Sequence, residues 1–369
     1  MGAGFRRHGP GQTHASMAPA ISVVLPVHNA AATVARAVAS VQAQTFADWE
    51  LLAVDDGSTD ATRQTLLELA ESDPRIRVLD IARAGIVAAL NAGLAASTAP
   101  FIARMDADDE AYAGRLAAQH DYLLTHPDIG VASCLVDFGG DRAESEGYAR
   151  HVDWLNSLIT PEQISLNRFV EAPLAHPSVM FRRELLESHG EYREGDFPED
   201  YELWLRWLDA DVRMAKVPQP LLLWHDPPDR LSRKDARYSP EAFFRLKAYW
   251  LAEWWQRAES DRRMKARYEG GREAVAPRKI FIWGAGRSIR QRAAELEKYG
   301  VFPAGYIDID PNKSGRKVAG HPVLAPKELP DPEESFILAY VSTRGTRDLI
   351  RAGLRQRGWV EGRNFLLCA

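Results

Sequence analysis

Between Ile21 and Asp109 the chain alternates short apolar runs with helical segments, and each run ends in a polar or acidic bend. Ile21–Val27 (ISVVLPV) has the length and β-branched character of a buried parallel strand. Pro26 cannot donate to a ladder, so it marks where that strand stops. Residues 30–44 are alanine-rich, with Val34, Val38 and Val41 at helical spacing. Residues 49–54 (WELLAV) predict a second strand that breaks at Asp55-Asp56-Gly57-Ser58-Thr59-Asp60, where Ser58 or Thr59 can cap a helix over 61–71. A strand over 76–79, a helix over 85–96 and a strand over 100–105 continue the pattern. Such alternation predicts a parallel sheet with helices on both faces. Ligands of such sheets sit outside the carboxyl ends of the strands. Val27-His28-Asn29, Asp55-Asp56 and Asp106-Ala107-Asp108 all fall at those ends, far apart in sequence but predicted to converge.

The last of these, FIARMDADD over 101–109, carries four apolar-to-basic residues straight into a carboxylate cluster. Two acids spaced by one residue on a bend can turn toward one point, where a hard divalent cation relieves their repulsion. A solvated acidic turn has the same composition, so the triplet gains meaning only from its neighbours.

Beyond Asp109 the pattern becomes less regular. It predicts a helix over 112–126, a strand over 129–138, a polar loop over 139–147 and a helical stretch over 151–169 interrupted near Thr160-Pro161. A short strand over 178–181, a helix over 183–189 and a loop over 190–195 follow. Pro198-Glu199-Asp200 then opens a helix with Leu203, Trp204 and Trp207 on its apolar face, and a strand or hairpin over 212–223 turns around Pro218 and Pro220.

The formal net charge of −5 gives no reason to expect a nucleic-acid partner. Cys134 and Cys368 are too few and too distant for a disulfide framework, which fits a reducing, cytoplasmic setting. No run approaches the roughly 18 apolar residues of a membrane span. Residues 1–19 read as a flexible leader, with Met17 a candidate alternative start.

Five motifs in order carry a resemblance: VVLPVHN (23–29), VDDGSTD (54–60), ARAGIVAALNAGL (82–94), MDADD (105–109) and PEDYELWLR (198–206). Together they resemble the family 2 glycosyltransferases of the GT-A fold, an α/β nucleotide-diphospho-sugar transferase architecture. The resemblance covers about residues 20–225. It implies inverting transfer from a nucleoside-diphosphate sugar donor, of UDP or dTDP type, to a glycan or lipid-linked sugar acceptor. Pro26, Val27, Asn29 and Asp55 or Asp56 match the nucleotide site, where a carboxylate can accept the imide N–H of uracil. Arg83 matches a basic position facing base or phosphate, or is simply a surface arginine.

By the same resemblance Asp106 lies near ribose or a metal-bound water, and Asp108 binds Mn²⁺ or Mg²⁺ bridging the phosphates. Oxygen ligands suit such ions, and a cation offsets charge building on the leaving diphosphate. An inverting transfer needs one base on the acceptor side. Asp200 is the candidate and Glu199 the alternative. Their structural role would be charge at a helix N-terminus. His176-Pro177 lines the acceptor pocket or is a buried structural pair. Trp204 and Trp207 are core residues, or one of them stacks on a sugar. The Gln-x-x-Arg-Trp signature of processive synthases is absent, favouring single-sugar transfer in surface-glycan assembly.

The domain plan expected is residues 20–228 for the transferase, 229–278 for a helical extension and charged linker through Gly270-Gly271, and 279–369 for a smaller α/β unit. The aromatic helix over 242–255 (AFFRLKAYWLAEWW) suits packing on the catalytic unit or across a homodimer. Peripheral contact with the inner face of a membrane is the alternative. In the last unit, Gly284-Ala285-Gly286 after strand KIFIW resembles a Rossmann glycine turn. Ile289 stands where a third glycine belongs, and Asp308 ends the next strand. Two other functions stay open: a non-catalytic nucleotide-sugar-binding scaffold, and a nicotinamide-dependent oxidoreductase built on that turn.

Overall fold

The computed structural model describes residues 18–227, 230–268 and 276–369. The expectations for the leader up to Met17 and for the Gly270-Gly271 linker lie outside them. Eight strands form the first sheet: β1 (Ile21–Val27), β2 (Trp49–Asp56), β3 (Ile76–Ile81), β4 (Phe101–Arg104), β5 (Glu110–Ala111), β6 (Val131–Phe138), β7 (Met180–Arg182) and β8 (Met214–Trp224). Their order is β3-β2-β1-β4-β7-β6-β8-β5. The first four pair in parallel, as the alternation predicts. β7 then enters antiparallel to both β4 and β6, so the sheet is mixed.

The pleat explains why the early strands read as unbroken apolar runs. Ile21, Val23 and Leu25 of β1 pack with Val34, Val38 and Leu116 on one face. Val24 and Leu52 point the other way, to Val87, Leu90 and Leu94 of the Ile86–Ala96 helix and to Leu203 and Trp204 of the Glu199–Asp209 helix. Both faces are covered, so no alternation of polar residues survives. Gly93 permits this approach: a Cβ there would lie 2.5 Å from Val24 Cγ1.

Three local expectations are refined. Of the strand and hairpin alternatives for 212–223 the strand is found, as Met214–Trp224: β8 runs parallel to β6 through register shifts between Val217 and Pro220 and between Pro220 and Leu222. Residues 218–220 are exposed there, and the ladder to β6 is irregular where the two prolines fall. The 139–147 loop ends early, because a helix already begins at Glu146. The break at Thr160-Pro161 is a capping box: the Thr160 side chain accepts from Gln163 N and starts the Pro161–Asn167 helix.

The Pro240–Tyr268 helix links this sheet to a second one. Its strands are β9 (Lys279–Trp283), β10 (Pro303–Ile307), β11 (Lys317–Val318), β12 (His321–Leu324), β13 (Ser335–Ala339) and β14 (Phe365–Leu367), in the order β11-β12-β10-β9-β13-β14. All but β11 are parallel. The linking helix turns Leu246, Trp250, Leu251 and Trp255 into an apolar cluster shared with Tyr201, Leu205, Ile280, Ile282 and Phe336. Its aromatic face is therefore buried within the chain. No helix among the described residues is long and apolar enough to cross a membrane.

The glycine turn of the second sheet is closed from within. A Cβ on Gly284 (φ +109°) would lie 2.3 Å from Ile289 Cδ1, so Ile289 occupies the space over the turn. Asp308 accepts from Ala285 N (2.9 Å), Asp310 N (2.9 Å) and Lys313 Nζ (3.0 Å). The carboxylate expected to read a ribose is already engaged.

Candidate active site

The three strand-end motifs share the carboxyl edge of the first sheet, because β2, β1 and β4 are adjacent and parallel. Of them only Asp106 and Asp108 line the cavity beside the acidic bend, and Pro26, Val27, Asn29, Asp55, Asp56 and Arg83 do not. Asn29 adopts a left-handed backbone (φ 49°), which asparagine tolerates better than most residues. From there its Oδ1 accepts from Thr59 N at 2.8 Å and its own N–H donates to Ser58 Oγ at 2.9 Å. Asn29 thus clamps the turn after β2 to the end of β1. Asp56, 2% exposed, accepts from Ala84 N (2.7 Å) and Gly85 N (3.0 Å) and pairs with Arg83. Its carboxylate anchors the loop after β3, and Arg83 is ion-paired to it while its side chain stays exposed at the surface. Asp55 is equally buried and accepts from Ser58 N at 3.3 Å. Pro26 and Val27 lie in β1, paired with Val54 and Asp55.

At the end of β4 the chain places Arg104, 4% exposed, directly beneath the acidic bend and ion-paired with Asp106. Burial opposes the Arg104 charge, but Asp106 outweighs it and holds the guanidinium above its ordinary pKa. Carboxylate oxygens of Asp106, Asp108 and Asp109 lie within 4.8 Å of one another. Burial first, then repulsion from Asp106, raises the pKa of Asp108 and raises that of Asp109 well above the usual carboxylate range. Asp109 is 1% exposed; its Oδ1 accepts from His225 N at 2.8 Å, while its Oδ2 is buried with no hydrogen-bond partner. A buried carboxylate oxygen without a donor, flanked by two more acids, fits a divalent cation. Asp106, Asp108 and Asp109 would hold it.

A cavity of about 490 Å³ opens beside this cluster. Asp106 and Asp108 line it together with Glu199 and Asp200 from the start of the Glu199–Asp209 helix. The two acids of that pair are not equivalent. Glu199 is 4% exposed and its Oε2 accepts from the Tyr238 hydroxyl at 2.7 Å. Asp200 is half-buried and accepts only locally, from Tyr201 N at 2.7 Å. Burial, and then the charge of Glu199, push the Asp200 carboxyl up to about 7. A group poised there is ionised enough to take a proton and basic enough to keep it.

His176 also lines the cavity, and its Nε2 shares a 2.7 Å hydrogen bond with the Tyr192 hydroxyl. Burial, then Arg104, lower its pKa well below the usual value, so it is a neutral polar wall residue. Trp204 and Trp207 are 0% exposed and cannot stack on a sugar; Trp207 packs edge-on to Phe181 at 5.2 Å.

Several cavity residues carry no recognisable sequence signal. Arg230 lies over the Trp224 and Tyr148 rings (4.9 and 5.0 Å) and faces the acidic bend, whose Asp106 and Asp109 help raise its pKa. His225 bonds Glu110 at 2.9 Å. Beneath the floor, Arg115, 1% exposed, donates to the carbonyls of Arg104 (2.6 Å) and Val179 (3.3 Å). Gln119 donates to those of Ala132 (2.6 Å) and Ser178 (2.8 Å). A helical i, i+4 pair of this kind (Arg115 Nε to Gln119 Oε1, 3.0 Å) is ordinary in sequence, and only the fold puts it under the site.

The fold and this arrangement of acids define a sugar transferase. Residues 22–190 match the family model described as glycosyl transferase family 2. WfgD of Escherichia coli, a UDP-Glc:alpha-D-GlcNAc-diphosphoundecaprenol beta-1,3-glucosyltransferase, is 31% identical over 193 residues, 51% of this chain and 69% of that one. The O-antigen biosynthesis glycosyltransferase WbnJ of Escherichia coli is 27% identical over 239 residues, 63% of this chain and 88% of that one. Similar solved structures include S. aureus TarS 1-349 in complex with UDP-GlcNAc (TM-score 0.49, 17% identity, 67% of this chain and 74% of that one). Another is the mannosyltransferase PcManGT from Pyrobaculum calidifontis in complex with GDP-Man and Mn²⁺ (TM-score 0.47, 19% identity, 77% and 74%). The chain belongs to glycosyltransferase family 2 and is an enzyme of that class.

Proposed function

We propose that the protein is an inverting, metal-dependent glycosyltransferase that moves one sugar from a UDP- or dTDP-type donor to a hydroxyl acceptor in surface-glycan or polysaccharide biosynthesis. Residues 20–228 would form the transferase unit and 279–369 a supporting α/β unit. The observation that carries the reading is a single cavity lined both by Asp106 and Asp108 of the acidic cluster and by the Glu199-Asp200 pair. The curated relatives WfgD and WbnJ, named for a UDP-sugar donor and for O-antigen synthesis, support this donor class and setting.

Pro26, Val27 and Asn29 shape the nucleoside side. With Asp56 engaged by Arg83, Ala84 and Gly85, base recognition falls to Asp55. A Mn²⁺ or Mg²⁺ held by Asp108, Asp106 and Asp109 supplies charge neutralisation for the departing diphosphate. Asp200 takes the proton from the acceptor hydroxyl as that oxygen attacks the anomeric carbon. Glu199, tethered by Tyr238, stays in place as the fixed charge that keeps Asp200 basic. Arg104, between the two groups of acids, lets five carboxylates share one site.

The test is turnover of UDP-, dTDP- and GDP-sugars with Mn²⁺ or Mg²⁺. Hydrolysis or transfer should require the metal and disappear in Asp108→Ala. Turnover that survives that substitution refutes the metal assignment, and nucleotide-sugar binding without any turnover supports the scaffold reading instead.

A further inference from the structure

A second cavity, about 470 Å³, is lined in part by the 190–198 loop and shares no lining residue with the active-site cavity. Its walls come from four places. The loop gives Arg193, Asp196 and Phe197, the Glu199–Asp209 helix gives Glu202, the linking helix gives Arg245, Tyr249 and Trp250, and Tyr299 comes from the second α/β unit. Three of the aromatic rings are mutually braced: Tyr249 meets Trp250 at 5.2 Å and Tyr299 at 5.5 Å, both edge-on. Trp250 is 8% exposed, and its indole N–H is buried with no acceptor among the described residues. With that N–H shielded, the Trp250 ring and the exposed Tyr249 ring give the cavity an aromatic wall rather than a hydrogen-bond donor.

The charged groups around these rings are of both signs. Arg193, largely exposed, reaches the buried Glu202 at 3.3 Å, and Arg245 is exposed beside Asp196. Aromatic faces ringed by alternating donors and acceptors suit a pyranose. The C–H face of the sugar packs on the ring, while its vicinal hydroxyls bridge guanidinium and carboxylate groups. A nucleotide phosphate would instead call for a concentration of positive charge, which Glu194, Asp196 and Glu202 oppose.

We infer that this cavity binds a sugar unit of a glycan chain, separate from the residues that carry out transfer. The choice of a glycan as occupant rests on the transferase reading. The loop that lines the second cavity runs directly into Pro198-Glu199-Asp200, and Phe243 of the linking helix lines the active site while Ala242 and Leu246 line the second cavity. A chain held here anchors an acceptor or product by a unit away from the one being modified.

Saturation-transfer NMR on the full-length protein, with maltohexaose, chitohexaose and hexagalacturonate as probes, tests this. At least one hexamer should bind, Tyr249→Ala should weaken it about tenfold or more, and Trp250→Phe, which keeps the ring but removes the N–H, should weaken it less. Nucleotide-sugar hydrolysis should be unchanged in Tyr249→Ala. Asp108→Ala should abolish that hydrolysis while leaving hexamer binding intact, which separates failure of this site from failure of the active-site reading. Absence of binding by all three probes, binding indifferent to Tyr249→Ala, or binding lost in Asp108→Ala would overturn the assignment.

Discussion

The residue with the sharpest expected behaviour is Asp200. It must be ionised to accept a proton, and burial together with Glu199 places its carboxyl at about 7. The rate should therefore rise as pH climbs through about 7 and level off above it. Asp200→Asn should lower transfer by about 10²–10⁴-fold while the thermal shift with donor and Mn²⁺ persists. Tyr238→Phe tests the neighbouring assignment. Burial raises the pKa of Glu199 and the Tyr238 hydroxyl offsets part of that rise, so without it Glu199 protonates first and repels Asp200 less. The acid limb of the pH–rate profile should then move to lower pH; an unchanged limb would show that Glu199 does not tune Asp200.

Among the elements, the turns after β2 and β3 depend on each other. Gly57 has φ +63°, and a Cβ there would lie 2.9 Å from Arg83 N. Gly57→Ala should cost about 1–3 kcal/mol in a urea titration. Because the displaced loop carries Arg83, Ala84 and Gly85 onto Asp56, KM for the nucleotide sugar should rise more than kcat falls. The parallel half of the first sheet and its helices were legible from their period: β1 and β2 are buried on both faces, β3 only in part, and each run ends at a turn signal. The short strand expected over 178–181 is there as β7, but its antiparallel insertion was not legible, because its pairing with β4 joins residues about 80 positions apart in the chain.

Across the whole molecule, the linking helix is the seam. Trp255 contacts Phe336 at 4.9 Å, and Arg278 sits over both rings while pairing with Glu259 at 2.9 Å. Trp255→Ala should lower the unfolding free energy by about 3–5 kcal/mol. It should also separate the fluorescence and circular-dichroism transitions, as the two sheets lose their common core. Stability should carry a pH signature from Lys216, 1% exposed. Burial lowers its pKa from 10.5 to about 7. Between those values the unfolded chain binds a proton that the folded chain does not, so the penalty grows as pH falls and is complete below 7. Lys216→Met should therefore raise the unfolding midpoint more at pH 6 than at pH 10, by an amount equivalent to a few kcal/mol.

The acidic bend, the strand-end positions of Asp55 and Asp106, and the helix opening at Glu199 were all readable along the chain, because each depends on local periodicity and on turn chemistry within a few residues. Which distant partners each acid meets was not readable. Asp55 and Asp56 are adjacent and chemically alike, yet only Asp56 meets the amides of the loop after β3. Glu199 and Asp200 are equally adjacent, yet only Glu199 meets Tyr238, which arrives 39 residues later. Asp109 joins Asp106 and Asp108 because the His225 amide and burial turn it inward. Side-chain roles of this kind follow from which distant donors reach a carboxylate and how much water is removed around it. Both are properties of packing in three dimensions, and neither leaves a pattern in the order of the residues.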